Sequence, residues 1–241
     1  MRFRKDASGQ MRAVPALAID DLSVRTDTGR CLLQVDRLDV PASQVVAIRG
    51  PSGAGKSTML NAIAGLQPVS VGHLRWGDTD FAGLSERRRA DFRRRTFGVI
   101  FQDHHLLEEL SAQENAALAA FYVPARERAD IQKRAREVLA QFGIEDSQSH
   151  RVHTFSGGER QRVAVARAIA HDPAVLLADE PTASLDRHTA GALIDTALAD
   201  VRRHGRTMIV VSHDPALIAA ADRVLTIRDG CITADESRAD A

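Results

Sequence analysis

Short apolar runs separated by amphipathic stretches set the plan of this chain. Val45-Val46-Ala47-Ile48, Thr96–Gln102, Ala174–Asp179, Thr207–Val211 and Arg223–Ile227 are too short for helices and rich in β-branched or aliphatic residues, so they read as buried strands. Between them, apolar residues recur at spacings of three and four. Met59, Leu60 and Ile63 do so in Ser57–Gly65, and Leu193, Ala197, Leu198 and Val201 do so in Arg187–His204. Ser156–Ala170 and a stretch from Asp214 read as further helices. Strands alternating with helices predict an α/β fold with a mostly parallel sheet.

Two regions leave that alternation. Near the start, Leu17–Val24 and Cys31–Val40 predict a pair of strands joined by the Thr/Asp/Gly-rich turn Arg25–Arg30, with a short strand later at His73–Trp76. From Asp103 to about His150 the pattern is helical and free of strands. Ile131, Ala135, Val138, Leu139 and Phe142 repeat on one face, which predicts a compact helical insert. Leu84–Arg95 reads as a basic helix. Residues 1–15 are polar and predict a loose tail, and 236–241 a second one. What remains, 16–235, is one domain, its helical part spanning approximately 103–170.

Composition narrows the function. Lys+Arg and Asp+Glu both number 32, so no global basic field points to nucleic acid, and none is expected as a partner. The clusters Arg87–Arg89 and Arg93–Arg95 fit either an anionic-surface patch or a solvated helix face laced by Glu86 and Asp91. Cys31 and Cys231 have no metal spacing and fit a reducing compartment. The charged opening Met1–Asp6 predicts no secretory signal. The apolar runs fall far short of the roughly 20 residues that span a bilayer, so a membrane role is expected only through a partner chain.

The chemistry is concentrated in Gly50-Pro51-Ser52-Gly53-Ala54-Gly55-Lys56-Ser57, followed by Thr58. This is the phosphate-loop pattern, placed as it must be between a buried strand and a helix. Glycines let successive backbone N–H groups wrap phosphate oxygens at a helix N-terminus. Lys56 is placed to reach the β- and γ-phosphates, and the Ser57 hydroxyl to take Mg²⁺. Val175–Asp179 then delivers Asp179 and Glu180 at a strand's C-terminal end, where open α/β sheets hold ligands. There Asp179 suits the metal shell and Glu180 the orientation of an attacking water, although a pair of solvated carboxylates would look the same in isolation. Ser156-Gly157-Gly158-Glu159 has the form of a capping box. Two consecutive glycines at that turn also suit a backbone that must approach a phosphate.

Taken together, these stretches resemble the ATP-binding cassette (ABC) ATPases over nearly the whole chain. Gly50–Ser57 corresponds to the Walker A motif, and Ser156–Glu159 to the signature motif with Phe155 where leucine is more usual. Val175–Glu180 corresponds to Walker B with its glutamate, Ala183–Asp186 to the D-loop, Val210–Asp214 to the switch-histidine segment, and Gln102 to the Q-loop glutamine. The resemblance implies a P-loop NTPase core with an N-terminal antiparallel β subdomain and an inserted helical subdomain. It implies ATP and Mg²⁺ as cofactors, with Ser57, Gln102 and Asp179 toward the metal and Glu180, His213 and Gln102 catalytic. Asp186 joins Gly50–Thr58 and Ser156–Glu159 among the nucleotide-site residues. The signature of one subunit would cover the nucleotide of another in a homodimer or heterodimer of ATPase subunits. A transmembrane permease-type subunit would meet Asp103–Asn115, holding the complex at the cytoplasmic face of the inner or plasma membrane. Phe101–Leu107, Glu114-Asn115 and Leu177–Thr182 resemble the group serving lipoprotein release, macrolide-type efflux and cell division; a pump, a regulatory switch in cell division and a soluble non-transport ABC ATPase all stay open. Leu17–Gln44 has no aromatic residue for the adenine ring that the family usually stacks there. Thr26, beside Arg25, stands about where it would be.

Overall fold

The computed structural model describes residues 2–5, 11–81 and 83–238. Five strands form a parallel core: β5 (Val45–Arg49), β8 (Phe97–Ile100), β9 (Val175–Asp179), β10 (Thr207–Val211) and β11 (Arg223–Arg228), in the order β11-β5-β10-β9-β8. The antiparallel part, β3 (Leu17–Arg25), β4 (Cys31–Val40), β6 (Val71–Trp76) and β7 (Thr79–Asp80), extends the same sheet. It is joined through β12 (Cys231–Ser237), which runs antiparallel to β11 and touches β4 at Cys231–Gln34.

Each core strand is buried on both sides, and its alternate residues divide between two hydrophobic layers. Val45, Ala47, Leu176, Ala178, Met208 and Val210 face one layer, which includes Val163, Val165 and Ile169 of α5 (Gly157–Ala170) and Leu193 and Leu198 of α6 (Arg187–Arg203). Val46, Ile48, Val175, Leu177, Ile209 and Val211 face the other, with Met59, Leu60 and Ile63 of α1 (Lys56–Ile63) and the antiparallel strands. That is why these runs lack a one-sided alternation in sequence. The insert carries α3 (Ala112–Ala116) and α4 (Ala125–Gln141). Ile131, Ala135, Val138 and Leu139 of α4 are buried in the first layer, as their spacing predicts.

The two tails depart from expectation. The described part of the N-terminal tail is paired, Arg2–Lys5 (β1) with Met11–Val14 (β2), and the C-terminal tail begins later because β12 continues to Ser237. Between Asp103 and His150 no strand forms among the described residues, as expected, and an isolated bridge ties Ser111 to Arg151. The basic helix, α2 (Glu86–Thr96), buries no residue. Its Glu86 pairs Arg89 and Arg93, and Asp91 pairs Arg94 and Arg95.

Candidate nucleotide site

The register of the parallel strands assembles the site. Ile48, Val211 and Asp179 lie in one row across β5, β10 and β9, and Ala178 faces Ile100 of β8. One or two residues further along each strand come Gly50, His213, Glu180 and Gln102. Four sequence-distant segments thus reach the same rim of the sheet, the C-terminal edge where ligands bind in such folds. They line one cleft of roughly 1050 Å³ that includes Ser52, Gly53, Lys56, Ser57, Gln102, Asp179, Glu180 and His213.

The phosphate loop is shaped by steric necessity. Gly50, Gly53 and Gly55 have φ values of 154°, 75° and 101°. A Cβ at Gly50 would lie 2.1 Å from the Ile227 carbonyl oxygen, and one at Gly55 would lie 2.9 Å from that of Leu32. Gly55 caps α1 in the left-handed conformation without any side-chain hydrogen bond, so the helix's first N–H groups have no side-chain cap. The buried Lys56 Nζ donates to the carbonyl oxygens of Gly50 (2.8 Å) and Pro51 (2.9 Å), which holds the ammonium at the loop's centre. Pro51, Ala54 and Thr58 complete the loop and first helical turn without lining the cleft.

The acidic side is equally constrained. Glu180 adopts φ 46°, a left-handed backbone that costs a non-glycine residue about 1–3 kcal/mol. Its N–H donates to Val211 O at 2.9 Å. Its carboxylate accepts from the His213 backbone N–H at 3.3 Å, and His213 Nε2 is 3.3 Å from the other oxygen. Glu180 is thereby largely enclosed while the His213 ring stays more than half exposed. Asp179 Oδ1 is buried with no hydrogen-bond partner, the condition expected of a carboxylate oxygen kept for a ligand. Among the described residues no cluster of three or more His, Cys, Asp or Glu could cage a metal. That fits Mg²⁺, which takes one or two carboxylates, waters and substrate phosphates rather than an all-protein cage.

Within one copy the signature residues lie apart from this cleft. Ser156 caps α5 in a full capping box: its Oγ accepts from the Glu159 N–H at 3.3 Å, and Glu159 Oε2 accepts from the Ser156 N–H at 2.9 Å. The Ser156 hydrogen bonds hold the Glu159 carboxyl below its ordinary pKa. Gly157 has open space where a Cβ would stand, and Gly158 lies beside Leu185. Asp186 caps α6, accepting from the N–H groups of His188 (3.0 Å) and Thr189 (3.1 Å), and does not line the cleft.

Two features escaped the sequence reading. Phe121 and Tyr122 stand exposed, at 68% and 69%, on a 3₁₀ turn of the insert. Fully buried Asn115 gathers the loop before it, accepting from the Leu107 N–H and donating to the carbonyls of Leu107, Leu110 and Ser111. Adjacent exposed aromatics were a readable signal, whereas the clasp of Asn115 depends on a loop path the pattern does not encode.

Comparison with known proteins agrees with this geometry. Residues 33–183 match the family described as ABC transporter. The lipoprotein-releasing system ATP-binding protein LolD of Chromohalobacter salexigens is 41% identical over 204 residues, covering 85% of this chain and 86% of its own. The macrolide export ATP-binding/permease protein MacB of Bradyrhizobium diazoefficiens is 42% identical over 89% of this chain, which spans only 32% of that longer protein. The dimeric structure of MJ0796, a bacterial ABC transporter cassette, superposes with a TM-score of 0.85 at 30% identity, covering 93% of this chain and all of that one. A second structure of MJ0796, a dimeric post-hydrolysis state bound to ADP and Pi, gives 0.82 at 29% identity. With fold and relatives in agreement, the chain belongs to the ABC transporter family, as one of its ATPase cassettes.

Proposed function

We propose that this chain is the ATP-hydrolysing subunit of an ABC transporter or mechanotransmitter complex, working as a pair of cassettes on a separate membrane partner. The observation that carries this reading is the convergence of Lys56, Ser57, Gln102, Asp179, Glu180 and His213 on one cleft, with Glu180 held by His213. Lys56, freed from the loop carbonyls, pairs with the β- and γ-phosphates, and the loop's N–H groups hold the remaining oxygens. Ser57, Asp179 and Gln102 would hold Mg²⁺, which when bound neutralises charge developing on the phosphates. Glu180 accepts a proton from the attacking water while His213 fixes its carboxylate and faces the γ-phosphate.

Ser156, Gly157 and Gly158 act on the nucleotide of a second copy, consistent with the exposure of Ser156 and Gly157 and with the absence of all three from the lining of their own cleft. Among the described residues no helix is long and apolar enough to cross a membrane, so force passes to another chain, through the segment 103–115 and the exposed Phe121–Tyr122 pair. LolD-type relatives of nearly the same length, named as ATP-binding proteins of a releasing system, support this division of labour at the cytoplasmic membrane face. The test is Glu180→Gln, which keeps the shape and removes the base. ATP affinity should hold while hydrolysis falls about a hundredfold or more, and unchanged turnover would overturn the assignment.

A further inference from the structure

We infer that Arg167 is a positioning residue for the reaction, tying the segment after Gln102 to the helix that opens with Ser156-Gly157-Gly158. The inference rests on the ATPase reading above and adds a residue which that reading does not use.

Arg167 lies about three turns into α5. Its Nη1 donates to the His105 carbonyl oxygen at 2.5 Å and its Nη2 to that of His104 at 2.7 Å. Burial lowers the guanidinium's pKa, and among the described residues it has no carboxylate partner. An ion pair therefore does not explain its place, and its two bonds go to consecutive carbonyls of one loop. A planar fork can bridge such a pair, while a lysine ammonium acts as a single point. Aiming both carbonyls at one group bends the chain: His105 has φ 47°, and its ring packs edge-on to Phe101 at 5.1 Å.

Little else holds this stretch. Among the described residues the backbone of Asp103, His104 and His105 makes no other hydrogen bond, and the clasp of Asn115 begins only at Leu107. Residues 102–106 line a hollow of roughly 480 Å³ together with Glu108, Val152, Arg160, Ala183 and Ser184. Beside the contact of the His104 ring with Gln161, the fork of Arg167 is the one tie on the backbone of 103–105 among the described residues. Gln102 hangs between the end of β8 and that tie. Removing Arg167 lets Gln102 leave the cleft without disturbing the phosphate loop, and it separates Gln102 from the helix that presents Ser156.

The experiment compares the wild-type chain with Arg167→Ala and Arg167→Lys by kcat and KM for MgATP, by melting temperature, and by amide hydrogen exchange over residues 101–107. For Arg167→Ala the expected result is a kcat lowered about tenfold or more with KM within about threefold, and faster exchange over 103–107. Free guanidinium at sub-denaturing concentration should restore part of the lost kcat. Arg167→Lys should fall between the two, because it retains one of the two bonds, and it carries the test if the alanine variant does not fold. A folded Arg167→Ala with wild-type kcat overturns the inference, as does a wild-type kcat in Arg167→Lys where the alanine variant is unfolded. Parallel loss of kcat, KM and melting temperature without rescue by guanidinium or lysine also overturns it, since that marks a merely structural residue. A wild-type chain that hydrolyses no nucleotide would instead overturn the ATPase reading itself and this inference with it.

Discussion

Two helix N-termini in this molecule carry glycines, and they are built in opposite ways. At α1 the glycines are required by the fold. Gly50 and Gly55 are hemmed in by the backbones at Ile227 and Leu32, their φ values are positive, and no side chain caps the helix. At α5 the cap is complete within the chain, through Ser156 and Glu159, and Gly157 has neither a positive φ nor a neighbour within reach of a Cβ. A glycine at the first turn of a helix costs stability relative to alanine, on the order of 0.5–1 kcal/mol. The first terminus is shaped by what its own protomer packs against it. The second keeps a glycine its own protomer does not need, as expected if another molecule's nucleotide approaches there.

The largest effect expected is on the chemical step. Besides the loss of turnover in Glu180→Gln, that variant should accumulate an ATP-bound dimer on sizing. Lys56→Ala should instead weaken nucleotide binding, because the charge on the β/γ-phosphates is lost; a titration with labelled ATP separates the two.

Next come the two kinds of glycine. Gly50→Ala should lower the melting temperature by several degrees and abolish ATP binding, since its Cβ would overlap the Ile227 carbonyl. Gly157→Ala should fold with an unchanged or slightly higher melting temperature and bind ATP normally, yet lose about tenfold or more in turnover. Equal damage to folding at both sites would break the distinction drawn above.

Much of this was legible in the sequence. The buried runs, the phosphate loop and the acidic strand end each follow from local composition, and strand ends in a parallel sheet converge by topology. What stayed hidden depends on contacts between distant residues or on polar strands. Strand β12, Cys231–Ser237, is mostly exposed and carries no apolar period. Buried Arg206, which looks like another loop arginine, bonds Asp172 in the turn after α5 and Asp200 near the end of α6, at 2.9 Å each. The fork of Arg167 spans 62 and 63 residues of chain. The strained backbone of Glu180 is invisible in sequence as well, because it arises only once β9 and β10 are paired.

The smallest effect concerns the base. The hairpin tip at Arg25–Arg30 satisfies its own polar groups, with Thr26 Oγ1 2.8 Å from Thr28 Oγ1 and Arg25 Nη1 donating to Gly29 O at 3.3 Å. No Phe, Tyr or Trp is among the described residues lining the cleft. Stacking on a ring is worth about 1–3 kcal/mol, so affinity rests on the phosphates and discrimination between ATP and GTP should stay within about tenfold. Parallel titrations with ATP, GTP and CTP check this, and a strong ATP preference would show that another segment reads the base.

The claim that the site is shared between two copies is tested most directly by mixing two inactive variants, Ser156→Arg and Lys56→Ala. Each mixed dimer would contain one site with an intact phosphate loop facing an intact Ser156-Gly157-Gly158 turn, and one site damaged on both sides. The account predicts ATP hydrolysis in the mixture that neither variant shows alone, rising with total protein concentration. Absence of any restored turnover, together with full wild-type activity in monomers at high dilution, would contradict it.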